Sequence, residues 1–151
     1  GDAILCDEGM IDKSIVSHLK SSCDVTFMTE MPFGTHKEIV SLNAIKTIIE
    51  TATDPNNTEY LEYYLKNDRY FNINYVGSGY KFNHKLRMTL DYEEDLQFFS
   101  ILFEHFNKVN PSFTLEDAIR WLNKNNNIVL INSHKTQKTP LNLELDVSLS
   151  I

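Results

Sequence analysis

Apolar residues recur along this chain in short runs of two periods, and the periods alternate. Ile11, Ile15, Val16 and Leu19 fall at helical spacing, with Asp12 placed as an N-cap and Ile11 and Val16 at staple positions. Asp24 to Thr29 is β-branched and aromatic and predicts a strand. Pro32-Phe33-Gly34 predicts a turn, and Glu38 to Leu42 a second short strand. Ile45, Ile48, Ile49 and Ala52 mark a helix, and Tyr60, Leu61, Tyr64 and Leu65 another. Tyr70 to Val76 predicts a strand running into the turn Gly77-Ser78-Gly79, and Leu86 to Leu90 predicts a strand running into Asp91. Leu96, Phe99, Phe103 and Phe106 form the stripe of a further helix. Thr114 caps one more, carrying Leu115, Ala118, Ile119 and Leu122, and Ile128 to Ile131 predicts a short strand.

The C-terminal tail changes period. Leu141, Leu143, Leu145, Val147, Leu149 and Ile151 alternate with Asn142, Glu144, Asp146, Ser148 and Ser150. That pattern predicts an amphipathic strand, which needs a partner because an open edge is adhesive. Pairing within the chain and pairing across a homodimer both satisfy it; its place after the last helix and strand favours the homodimer. Strands alternating with helices predict an α/β three-layer arrangement, in which ligands gather at the carboxyl ends of strands. Asp2 and Asp91 are both expected near such ends. Two carboxylates brought together there would make a divalent-metal site of the hard, oxygen-ligand kind that handles phosphates.

The chain has 151 residues, enough for one domain with a proper core, with 42% apolar and 23% charged residues. The net charge of -7 argues against nucleic acid as a partner, since a phosphate backbone demands a basic surface. No apolar run reaches the length of a membrane span and no secretory signal is recognisable, which predicts a cytoplasmic protein that avoids membranes. Cys6 and Cys23 make neither a zinc pattern nor a disulfide framework. They read as two buried thiols, with a bridge as the alternative.

Several stretches match a known pattern in order and spacing up to Lys138. Gly1-Asp2-Ala3-Ile4-Leu5-Cys6-Asp7 resembles the Gly-Asp-x-Pro-Leu-x-Asp stretch of the cytidylyltransferase family, which includes the acylneuraminate and 3-deoxy-manno-octulosonate enzymes and spore coat polysaccharide relatives. Pro32-x-Gly34-x-x-x-Glu38-x-x-Ser41 resembles the Pro-Asp-Gly-Leu-Asp-Val-Glu-Val-Phe-Ser stretch of the spore coat branch. Thr53-Asp54-Pro55 and Glu59 stand where that branch has Arg-Glu-His-Val-Thr. Thr89-Leu90-Asp91-Tyr92-Glu93-Glu94-Asp95-Leu96 is similar to its Thr-Val-Asp-Thr-Pro-Glu-Asp-Leu. Phe113 to Asp117 and Asn132-x-His134-x-x-Gln137-Lys138 look like its C-terminal extension.

The resemblance implies a nucleotidyltransferase-like sheet with flanking helices and a reaction passing CMP, or a related nucleotide, from a nucleoside triphosphate to a sugar or sugar acid for surface polysaccharide synthesis. It implies Mg²⁺ held by Asp2 and Asp91 as the catalytic pair, and a substrate side formed by Gly34, Glu38, Glu59, His134, Gln137 and Lys138. The family's nucleotide loop lies upstream of its Gly-Asp stretch, outside these 151 residues. The expectation is therefore a C-terminal part: residues 1–110 from the cytidylyltransferase-like domain, 111–138 a helix–strand extension, and 139–151 the terminal strand. Phe33 and His36 replace acids of the family pattern, Thr58 its arginine and Tyr60 its histidine.

Plainer readings stand beside these roles. Asp91-x-x-Glu94 has capping-box spacing, so Asp91 is either an N-cap, a metal ligand or both. Gly34 serves a turn, Glu38 an exposed strand face, and Glu59 a helix first turn. His134 to Lys138 forms a solvated loop or an anion contact. His18 and His105 read as boundary residues and the phenylalanines at 98, 99, 103 and 106, with Trp121, as core. The alternative to an enzyme is a truncated, non-catalytic binding or dimerisation module.

Overall fold

The computed structural model describes residues 4–51 and 61–137. Asp2, Glu59, Lys138 and the alternating tail lie outside them. Chain contacts divide the described residues into two compact units. One takes residues 4–8, Thr29–His36 and 77–137; the other takes 9–28, 37–51 and 61–76.

The second unit is built on a three-stranded sheet of order β2-β1-β3, from β1 (Val25–Thr29), β2 (Glu38–Val40) and β3 (Ile73–Gly77), whose end residues Thr29 and Gly77 count with the first unit. β1 and β2 run antiparallel, with Val25 opposite Val40 and Phe27 opposite Glu38. β1 is central and buried on both faces, as its unbroken Val-Thr-Phe-Met run requires. One face carries Val25 and Phe27 into a cluster with Ala44 and Ile48 of α2 (Leu42–Thr51) and Tyr64 and Leu65 of α3 (Leu61–Leu65). The opposite face carries Thr26 to α1 (Glu8–Ser21), where His18 Nδ1 lies 3.0 Å from Thr26 Oγ1. Helices on both faces of the sheet make the expected three layers.

Helix α1 confirms the period of the sequence pattern and reverses its face. Ile15, Val16 and Leu19 are exposed, Leu19 to 71%, while Met10, Ser14 and His18 are buried. Hydrogen bonding is the reason. His18 and Cys23 lie within 3.2 Å of one another, both reach Thr26, and Asn74 Nδ2 donates to Ser17 Oγ at 2.9 Å. The seam around His18 is satisfied in this way and can be buried at little cost, whereas the buried Ser14 hydroxyl has no hydrogen-bond partner among the described residues. Asp12 is not a cap: the helix begins at Glu8 and Asp12 lies inside it, exposed. Cys6 is exposed and only Cys23 is buried; both are free thiols, which corrects the expectation of two buried ones.

The first unit has its core between the extended run 86–89 and three helices, α4 (Glu93–Val109), α5 (Leu115–Leu122) and α6 (Asn126–Val129). Phe98, Phe99 and Phe106 are buried there beside Leu86 and Met88, with Phe103 and Trp121 half-buried against them. Leu96, expected in the same stripe, is 58% exposed. Thr114 caps α5 as predicted: its hydroxyl accepts from the Asp117 N–H at 3.2 Å, while its own N–H donates to the Asp117 carboxylate at 3.1 Å.

Two predicted strands do not form. The run 86–90 is extended, but it makes only an isolated parallel bridge between Arg87 and Phe33. Gly34, at φ +92°, turns the partner segment away one residue later, and the Thr35 N–H closes that turn on Pro32 O at 3.1 Å. Ile128 to Ile131 lies in α6 and the turn after it; a four-residue apolar run fits a buried helix segment as well as a strand. No helix among the described residues is long and apolar enough to cross a membrane.

Candidate functional site

The site grows from the crossing of the extended run with the start of α4, all within the first unit. Phe33 O accepts from the Met88 N–H at 2.7 Å, which brings the Pro32-Phe33-Gly34 turn onto the run. A Cβ on Gly34 would stand 2.6 Å from Met88 O, so this approach needs glycine for space as well as for its positive φ. The contact places Phe33 beside Arg87, whose guanidinium carbon sits 5.2 Å from the ring centre.

Arg87 is 4% exposed and is paired by two carboxylates. Its Nε donates to Asp95 Oδ1 at 3.0 Å, and its Nη2 pairs with Asp91. Asp95 is fully buried and works harder than the capping reading of Asp91 and Glu94 foresaw. The box is shifted by one residue: Tyr92 is the N-cap and Asp95 reaches back to accept from the Tyr92 N–H at 3.0 Å and the Asp91 N–H at 2.9 Å. Asn132, arriving after α6, donates its amide to Asp95 Oδ1 at 2.8 Å and to Arg87 O at 3.1 Å. Burial alone would push the Asp95 carboxyl up. The donors from Arg87, Asp91, Asn132 and Tyr92 outweigh it and hold the group below the usual carboxylate range. The Asn132 carbonyl oxygen is buried with no partner among the described residues.

Further charged side chains pair around this centre. Lys135 Nζ pairs with Glu94 at 2.7 Å and sits 5.0 Å from the Tyr92 ring centre. The Lys135 hydrogen bond holds the Glu94 carboxyl low. On the edge formed by residues 4–8, Tyr80 donates to Asp7, and burial together with that carboxylate pushes the Tyr80 hydroxyl above its ordinary range.

Of the residues named from sequence, Gly34, Asp91, His134 and Gln137 fall in this unit, and Glu38 lies half-buried on β2 of the other. Asp91 follows the extended run, as expected, with its side chain 18% exposed. His134 is exposed, and Gln137 lines a cavity that also touches Phe33 and Arg87. Arg87, Asp95 and Asn132 were missed. The signal was present in spacing: Asp95 stands three residues after Tyr92, and Asn132 opens the stretch that ends at Gln137.

The chain is similar to a solved cytidylyltransferase from Leptospira borgpetersenii serovar Hardjo-bovis (strain JB197), with a TM-score of 0.74 at 20% identity. This chain has a cytidylyltransferase fold. The match covers 91% of the chain and 58% of the Leptospira protein, so the chain spans well under two thirds of that relative's length. No family model and no curated protein matches the sequence.

Proposed function

We propose that the chain is part of a metal-dependent nucleotidyltransferase that moves a nucleotide, CMP in the first instance, from a nucleoside triphosphate to a sugar or sugar acid for surface polysaccharide synthesis. The observation that carries this reading is the cytidylyltransferase fold over 91% of the chain. In the reaction a sugar oxygen attacks the α-phosphorus, the new P–O bond forms, and the bond to pyrophosphate breaks. Asp2 and Asp91 would hold Mg²⁺, which supplies charge to offset the departing pyrophosphate.

The chemistry of the donor set fits. Mg²⁺ is commonly held by one or two carboxylates, with phosphates and waters completing the shell. Arg87 pairs with Asp91, and Asp95 accepts the Asp91 N–H, so the carboxylate is oriented from both its side chain and its backbone. Gly34 with His134, Gln137 and Lys138 would form the substrate side.

Calorimetric titration of the full product of the gene with CTP, with and without Mg²⁺, tests the reading. Mg²⁺-dependent binding that weakens at least about tenfold in Asp91→Asn is expected, on the loss of one charge-assisted contact. Equal CTP binding by the variant sinks the assignment. The second reading is a binding or dimerisation module; CTP binding absent under every condition would select it.

A further inference from the structure

A cavity of about 280 Å³ opens beside the Arg87 network within the first unit. Phe33 and Leu86 form its apolar wall. Its polar wall is His84, Lys85, Arg87, Lys135 and, from the same stretch, Ser133 and Gln137, with no carboxylate among the described lining residues. The charges of Arg87 and Lys135 are offset from behind by Asp91, Asp95 and Glu94. Lys85 is not: its ammonium has no partner among the described residues, and neither the His84 ring nor the Gln137 amide has one. Arg87 spends Nε and Nη2 on the aspartates and leaves Nη1 without a hydrogen bond among the described residues, although the residue is 4% exposed.

We propose that this cavity binds a phosphate-bearing small molecule. The donor count separates phosphate from carboxylate. Lys85 brings three N–H groups, Arg87 Nη1 two more, and His84 and Gln137 add theirs. A carboxylate has two oxygens to accept them; a terminal phosphate has three and carries up to two charges. Phe33 and Leu86 leave room for an uncharged body attached to the phosphate. The site shares Gln137 with the substrate side proposed above, but it requires neither a metal nor group transfer.

The test uses the full chain in EDTA, without nucleotide. Inorganic phosphate is titrated against Trp121 fluorescence, with sodium chloride and sodium acetate at matched ionic strength as the other arms. Saturable phosphate binding is expected, with a weak, unsaturated response to acetate and chloride. The double variant His84→Gln, Lys85→Gln should raise the apparent Kd for phosphate about tenfold, the scale of one charge-assisted hydrogen bond. Both side chains are exposed and unpartnered, so the fold should survive, and unchanged circular dichroism verifies it. Broadening of the phosphate ³¹P resonance by the wild-type chain but not by the variant is the second readout. An acetate response equal to phosphate, no saturation, or an unchanged Kd in the variant overturns the proposal. Because metal and CTP are absent, this outcome is independent of whether Asp91→Asn disturbs Mg²⁺-dependent CTP binding.

Discussion

Replacing Asp95 by Asn should be among the most damaging single-atom changes in the first unit. The carboxylate is fully buried and accepts from Arg87, from the backbone of Asp91 and Tyr92, and from Asn132. An amide of the same shape keeps one oxygen and turns the other position into a donor facing donors. Removing one partner of a buried ion pair costs about 3–5 kcal/mol. Asp91 still pairs with Arg87 in the variant, which argues for the lower end, about 3 kcal/mol. With a urea slope of about 2 kcal/mol per molar, the midpoint should fall by about 1.5 M. Trp121 is the sole tryptophan and packs against this core, so its fluorescence reports the right unit even if the two units melt separately. The pH dependence gives a second check. The folded Asp95 carboxyl is lowered, so its stabilisation is present above the unfolded value near pH 4 and is lost as pH falls through the lower folded value. The wild type should therefore lose stability steeply on acidification, and Asp95→Asn should lose less over the same window. A midpoint shift below about 0.5 M at pH 7, or parallel acid limbs, would refute the account of this cluster.

Gly34→Ala should lower thermal stability by at least about 2 kcal/mol, because a left-handed non-glycine residue alone costs about 1–3 and the added Cβ would meet Met88 O at 2.6 Å; an unchanged melting temperature shows that the turn is not held as described. Native protein should react with a thiol reagent at one site quickly, Cys6, and at Cys23 only after denaturation; two fast thiols, or none, contradict the burial assigned to them. The alternating tail is expected to pair between subunits, so deleting residues 140–151 should turn a dimer into a monomer or an aggregate by light scattering, and an intact protein that is monomeric at micromolar concentration removes that expectation.

The sequence alone determined the local elements whose signals are local. The α5 cap could be read from Thr114, and the central strand from Val25 to Thr29, because capping and β-branched runs act over a few residues. The helical period of α1 was legible for the same reason. Its buried face was not, since the burial of His18 in place of Leu19 depends on Thr26 and Cys23, with Asn74 joining at Thr26, residues brought there by the fold. The run 86–90 carried a strand's composition, yet pairing needs a neighbour, and the turn at Gly34 withdraws it after Phe33. At the candidate site, the sequence spacing singled out the stretch around Asp91. What it could not show is that Arg87, Asp95 and Asn132, scattered over 45 positions of chain, close into one buried network. A hydrogen bond across such a separation leaves no period in the sequence. Only tertiary contact decides it, because the energy of a buried charge depends on which donors surround it and not on which residues precede it.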